Sequence, residues 1–177
     1  MPRQKQAREI SQPEASRPHM PGYGLTTAPG GKGLLPWSWA SQRIAKARRY
    51  WVATTRPNGR PHAMPVWGVW IENRFYFSTG ARSRKARNLA AIPSCVIGME
   101  EGIRAVIVEG VAQKIRGSKP PAAANKAYRE KYKMGLDPKL GPIFCVRPQV
   151  VFGFIESETE FATTATRWVF GGKQQTF

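Results

Sequence analysis

The stretch YWVATTRPNGRPHAMPVWGVWIENRFYFST, residues 50–79, carries the pattern from which the fold is read. Two runs rich in aromatic and β-branched residues, 50–56 and 60–71, flank Pro57-Asn58-Gly59. Asn-Gly accepts the positive φ values of a tight hairpin turn, so the runs pair antiparallel. Glu72-Asn73-Arg74 makes a second tight turn, and 75–79 is a third strand. Downstream, SCVIGME (94–100) and IRAVIVEGVAQKI (103–115) form another hairpin across Glu101-Gly102. IFCVRPQVVFGFIES (143–157) and TATRWVF (164–170) close the chain as strands. Helices are few and short. Residues 34–50 give an amphipathic helix of about ten residues, with Trp37, Ala40, Ile44 and Ala47 on one face at helical spacing. A basic helix covers 84–91 and stops before Pro93, and a third covers 122–133. Six or seven antiparallel strands with short helices predict a mainly β protein, a small barrel that closes its own edges. Such a barrel has little interior room, so a ligand is expected on its outer face or between subunits.

The chain has 177 residues, 41% of them hydrophobic, enough for one domain with a sizeable core. Residues 1–33 hold Pro, Gly, Ser and basic residues with no apolar period and read as a flexible basic tail ahead of a domain over 34–177. No apolar run is long enough for a membrane span, and the N-terminus lacks the apolar core of a signal peptide, so a cytoplasmic protein is expected. Cys95 and Cys145 are too few and too far apart for a disulfide framework or metal site, and read as packed thiols. The six tryptophans are many for one small core and point to a dimer.

The formal charge is +17, and it is uneven. Residues 42–90 hold eleven Lys or Arg against one acid, Glu72. Such a block attracts nucleic acid, an acidic membrane face or a phosphorylated small molecule. Arg82, Arg84, Lys85 and Arg87 crowd one turn at a helix start, where cations oppose the macrodipole at a cost of roughly 0.3–1 kcal/mol each. An anion there reverses the sign. Ser78, Thr79 and Gly80 end a strand, and Ser83 is placed to cap the helix. Hydroxyls, free N–H groups and cations thus converge as they do around a bound phosphate, whether of a nucleotide, a flavin or nucleic acid. Beside them, MPVWGVW (64–70) offers a flat apolar wall, and Pro65 removes a ladder donor.

The segments RPNGRPHAMPVWGVW, FYFSTGARSRKARNLAAIPSCVI and AVIVEGVAQKI, in register over residues 36–170, resemble the pyridoxamine 5'-phosphate oxidase-like flavin-binding split-barrel superfamily. The flavin/deazaflavin oxidoreductase branch, with its TRWVF type of ending, is the most similar. The resemblance implies a six-stranded antiparallel split β-barrel and a homodimer with two cofactors in its interface. It implies that Met64, Pro65, Val66 and Trp67 line the isoalloxazine ring. It places Ser78 and Thr79 near the phosphate or ribityl chain, and Arg84 and Lys85 on the phosphate, with Arg87 and Asn88 nearby on the same helix. Arg167 and Trp168 would reach the cofactor from the partner subunit. Ala105 stands where genuine pyridoxamine phosphate oxidases carry Gln after an Arg, and ATRWVFGG lacks their terminal Arg-x-His. The expectation is therefore a reductase acting on another small molecule through FMN or an 8-hydroxy-5-deazaflavin coenzyme, with catalytic residues unassigned and no metal. His62 lies on the cofactor-facing strand. Two alternatives stand beside it: pyridoxamine 5'-phosphate oxidation, or a non-enzymatic barrel that binds single-stranded nucleic acid by stacking and phosphate contacts. Against the last, the cations gather on one helix turn and not along an open sheet.

Overall fold

A computed structural model describes residues 12–25, 31–117 and 119–171. Nine strands form one antiparallel sheet: β1 (Glu14–Ser16), β2 (Tyr50–Thr55), β3 (Pro61–Val66), β4 (Gly68–Ile71), β5 (Arg74–Ser78), β6 (Ser94–Glu101), β7 (Arg104–Lys114), β8 (Ile143–Ile155) and β9 (Thr166–Val169). The helices are α1 (Trp37–Lys46), α2 (Arg84–Ala91), α3 (Ala122–Tyr132) and α4 (Phe161–Thr164). The protein is mainly β, and its barrel is split rather than closed.

Two features open the barrel. The predicted strand 60–71 is two strands, broken at Trp67: β3 pairs with β2, while β4 pairs with β5. A Cβ on Gly68 would run into the Phe75 ring, so only glycine lets the chain pass this close to the core at the corner. Here the covalent chain, and not a ladder, links the two halves of the split barrel. The second feature lies in β8, which pairs with β7 along nearly its whole length but divides its other edge. Ile143–Val146 pairs with β5 and Val150–Gly153 with β9. Pro148, which lacks an N–H, lies between the two halves, opposite the bulge at Glu109/Gly110. The expectation that the barrel closes all its edges is thus corrected: β3 keeps a free edge, blunted by Pro61 and Pro65.

The inner face holds the core. Tyr50, Val52, Phe75, Phe77, Ile97, Val106, Val108, Val146 and Val151 are essentially inaccessible, and Ala40 and Ile44 of α1 pack against them. A smaller cluster, with Val69, Tyr76, Ala124, Tyr128 and Leu136, joins α3 to the other face of the β4–β5 pair. Both turns of the opening stretch form as their residues demand, with Gly59 at φ 80°, Glu72 at 50° and Asn73 at 55°.

Part of the segment read as a flexible tail is built into the sheet. Glu14–Ser16 adds to the edge of β9, and Arg17 donates to the carbonyls of Ala165 at 2.9 Å and Lys32 at 2.6 Å. Three residues carry no periodicity to read; the open edge of β9 supplies the pairing. The rest of that segment, residues 1–11 and 26–30, lies outside the described residues, as do 172–177. Cys95 and Cys145 are buried free thiols, and burial pushes the Cys95 thiol up to about 12. No helix among the described residues is long and apolar enough to cross a membrane.

Trp168 is 1% exposed, in edge contact with Trp37 at 5.5 Å between ring centroids. Gly153 on β8 leaves the space its indole fills, since a Cβ there would come within 2.8 Å of the ring. The side chain expected to reach a partner's cofactor is a core plug instead. Trp168→Ala should therefore cost about 3–5 kcal/mol of folding stability by chemical denaturation, a large-to-small core loss.

Candidate functional site

The turn after β5 and the start of α2 together hold Arg82, Arg84, Lys85 and Arg87. Ser83 caps α2, its Oγ accepting from the Ala86 N–H at 3.2 Å, and Thr79 Oγ1 lies 3.1 Å from Ser83 Oγ. The first turn of α2 contains no acid. Among the described residues one ion pair forms, Arg43 with Glu101 at 3.9 Å, so Arg82, Arg84, Lys85 and Arg87 have no carboxylate partner there. Arg82, Arg84 and Arg87 are exposed and Lys85 is half-buried. Burial holds the Lys85 ammonium below its usual range, because desolvation disfavours the charged form. A dianion at the capped helix start would compensate this charge and accept from the unpaired N–H groups of the first turn.

The apolar wall adjoins the turn. Gly68 lies opposite Phe77 in the β4–β5 ladder, so the preceding Trp67 stands at the level of Ser78, where β5 runs into the turn. Trp67 is 49% exposed, and Pro65 is exposed on the outer face of the free edge strand; Met64, 45% exposed, pairs with the buried Val52 and so lies on the other face of β3, apart from the wall expected of it. Val66 points into the core. α2 packs on β2 and β3 and fixes the spacing of turn and wall. The pin is Asn88, fully buried, which donates from Nδ2 to Thr54 Oγ1 at 2.9 Å; that hydroxyl donates in turn to the His62 carbonyl at 3.2 Å. Asn88 thus faces inward, a fastener of the helix. Two buried polar atoms at this junction, Asn88 Oδ1 and His62 Nδ1, lack a hydrogen-bond partner among the described residues.

Arg167 is placed elsewhere. Register links Pro65, Trp51, Gly98, Ile107, Phe152 and Arg167 in one row on the outer face, across β3, β2, β6, β7, β8 and β9. Five strand spacings separate Arg167 from Pro65, about 24 Å along the sheet.

A feature that the sequence did not single out opens on the other side of α2. A groove of about 1050 Å³ runs from Ala81 past Leu89 to Lys114, Lys119 and Pro142. Its walls carry Arg87, Lys114, Arg116, Lys119 and Lys139 and not one acid. It begins at the phosphate-type turn, for Gly141 on its rim lies against the Thr79 carbonyl. The run QKIRGSK, 113–119, was its only trace in the sequence.

The donor set fits a phosphorylated ligand with a planar ring: hydroxyls and cations at a capped helix start, an exposed indole alongside, and unpaired buried polar atoms beneath. Fold and site together define a split barrel of the cofactor-binding type. The family model for pyridoxamine 5'-phosphate oxidase matches residues 40–152, and the chain belongs to that family. No curated protein matches it. Among solved structures it is similar to an F420 reductase, with 21% identity over 70% of this chain and 98% of the other, at TM-score 0.52. An FAD-binding protein from Mesorhizobium loti is 14% identical over 77% and 96%, at TM-score 0.51. A heme-binding protein from Mycobacterium smegmatis is 21% identical over 70% and 56%, at TM-score 0.56. At these identities the likeness is one of fold.

Lys131 of α3 gives the fold a pH signature. Burial, and then the neighbouring Arg48, lower its ammonium from 10.5 to about 8. Between pH 8 and 10.5 the unfolded chain binds a proton that the folded one has released, so stability gains a rising component across that window. Below pH 8 both states are charged and the folded state carries the full burial cost. Lys131→Met should flatten the wild-type rise between these pH values, measured by denaturant unfolding.

Proposed function

We propose that this protein is a homodimeric oxidoreductase, a reductase that holds FMN or an 8-hydroxy-5-deazaflavin coenzyme and passes hydride to a small organic molecule. One observation carries the reading: the acid-free, capped turn 79–85 stands beside the exposed side chains of Pro65 and Trp67. Arg84, Lys85 and Thr79 hold the phosphate, Ser78 lies along the linker, and Pro65 and Trp67 take one face of the ring. The cofactor, when bound, supplies the hydride-carrying centre. The chain orients it, excludes water from the covered ring face and offsets its negative charge. No acid–base pair is required of the protein. The five-cation groove that starts at the turn favours the deazaflavin, whose extended tail is anionic, over FMN. Ala105, buried where the oxidases carry Gln, argues against pyridoxamine 5'-phosphate as substrate.

The outer row from Pro65 through Trp51 to Phe152 supports the dimer. Trp51 is 55% exposed, and Ile107 and Phe152 are half-exposed on the same face, which is apolar enough to bury against a second copy. On this reading a partner placed over this face brings its own Arg167 to the cofactor. Trp51→Glu should convert the dimer to monomers in sedimentation and weaken cofactor binding in parallel, because the two equilibria are linked. Unchanged dimers would remove this face from the proposal.

The direct test is a titration of the apo-protein with FMN and with the deazaflavin, followed by flavin fluorescence. Arg84→Ala and Lys85→Ala should each weaken binding by about 1.5–3 kcal/mol, the range of a lost charge-assisted hydrogen bond. Absence of saturable binding of either cofactor to the wild type sinks the reading.

A further inference from the structure

Lys131 and Tyr132, consecutive on α3, grip the corner of the barrel. The Lys131 ammonium donates to the Ala45 carbonyl at 2.8 Å, to the Tyr50 hydroxyl at 2.8 Å and to the Gly68 carbonyl at 3.4 Å. The Tyr132 hydroxyl accepts from the Gly68 N–H at 3.1 Å and lies within donor reach of the Arg48 carbonyl at 2.9 Å and the Gly68 carbonyl at 3.0 Å. Both polar ends of one residue, Gly68, are therefore held by α3. The Tyr132 ring lies parallel to the Trp67 indole, 5.1 Å between centroids and 7° between planes. Trp67 is half-exposed at the point where the ladder is interrupted, with β3 ending before it and β4 starting after it. An indole so placed has several open rotamers, and a parallel ring of fixed orientation selects one of them.

We propose that Tyr132 is a positioning residue for Trp67, with Lys131 holding the corner, so that α3 sets the angle at which the wall is presented to a bound ring. The first half concerns the protein alone; the second rests on the flavin reading above. Neither residue touches the phosphate turn. Their contacts run to the α1–β2 connection and to the corner, so α3 has a task here beyond covering the small second cluster.

Two measurements test it separately. In protein labelled with 5-fluorotryptophan, six ¹⁹F resonances are expected, and the Trp67 signal is the one lost in Trp67→Phe. Tyr132→Leu should shift that signal while the other five stay in place, and Lys131→Met should shift it less. Tyr132→Phe, which keeps the ring, should leave it near the Tyr132→Leu baseline's opposite end, close to wild type. A Trp67 signal indifferent to Tyr132→Leu, or six signals moving together, would overturn the positioning role in favour of general packing. For the second half, Tyr132→Leu should raise the cofactor dissociation constant about tenfold, and no further in a Trp67→Ala background, because the effect passes through Trp67. Additive losses overturn it. If the wild type binds neither cofactor, the flavin reading and this second half fall together, while the fluorine spectra still decide whether Tyr132 positions Trp67.

Discussion

One residue of chain, Trp67, carries the backbone from one half of the barrel to the other. On its N-terminal side β3 belongs to the β2–β6–β7 ladder; on its C-terminal side β4 belongs to β5. Hydrogen bonding cannot close the sheet at this point, so packing must. The absence of a side chain at Gly68 lets the Phe75 ring in beneath the corner, and α3 holds the Gly68 peptide from outside. The rest of the molecule depends on that corner. It sets β5 alongside β4, delivers Ser78 beside Trp67, and leads the following turn to the start of α2.

The site draws its character from a charge the fold leaves uncompensated. Four cations gather around a helix start whose own dipole repels them, and no acid among the described residues comes to meet them. Burial of Lys85 adds to the cost. An anion at this helix start would offset the unfavourable dipole interaction and pair with part of this charge. The same logic extends along the groove behind α2, where five further or shared cations line a cleft without an acid. The inward-facing Asn88 shows how the helix can carry such a charge and stay docked, because its amide is tied to Thr54 in a place water does not reach.

The division of β8 has a consequence for assembly. Because β9 occupies only the second half of its edge, the C-terminal strand lies at the far end of the outer row from β3. Trp168 alternates inward and Arg167 outward, as neighbours on a strand must. The inward residue completes the core, and the outward one is left on the outer face, five strands along the sheet from β3.

Much of this was legible in the sequence because it depended on neighbours in the chain. Asn58-Gly59 and Glu72-Asn73 dictate their turns, the helical spacing of Trp37, Ala40, Ile44 and Ala47 dictates a helix, and Ser83 marks the start and cap of α2. These are local rules of backbone sterics and spacing, and the structure follows them. Other facts had no local signature. The break at Trp67 lies inside an unbroken apolar run and exists because Phe75 fills the space at Gly68. Glu14–Ser16 is a strand because β9 has an edge to spare. Trp168, Val66 and Asn88 look from the sequence like ligand-facing neighbours of Arg167, Pro65 and Arg87, yet each turns to the core, since alternation along a strand or a helix shows two faces and not which of them meets solvent. The stack of Tyr132 on Trp67 joins residues 65 positions apart. Only packing decides contacts of that kind, because their energy is realised when the whole barrel has already brought the two rings together.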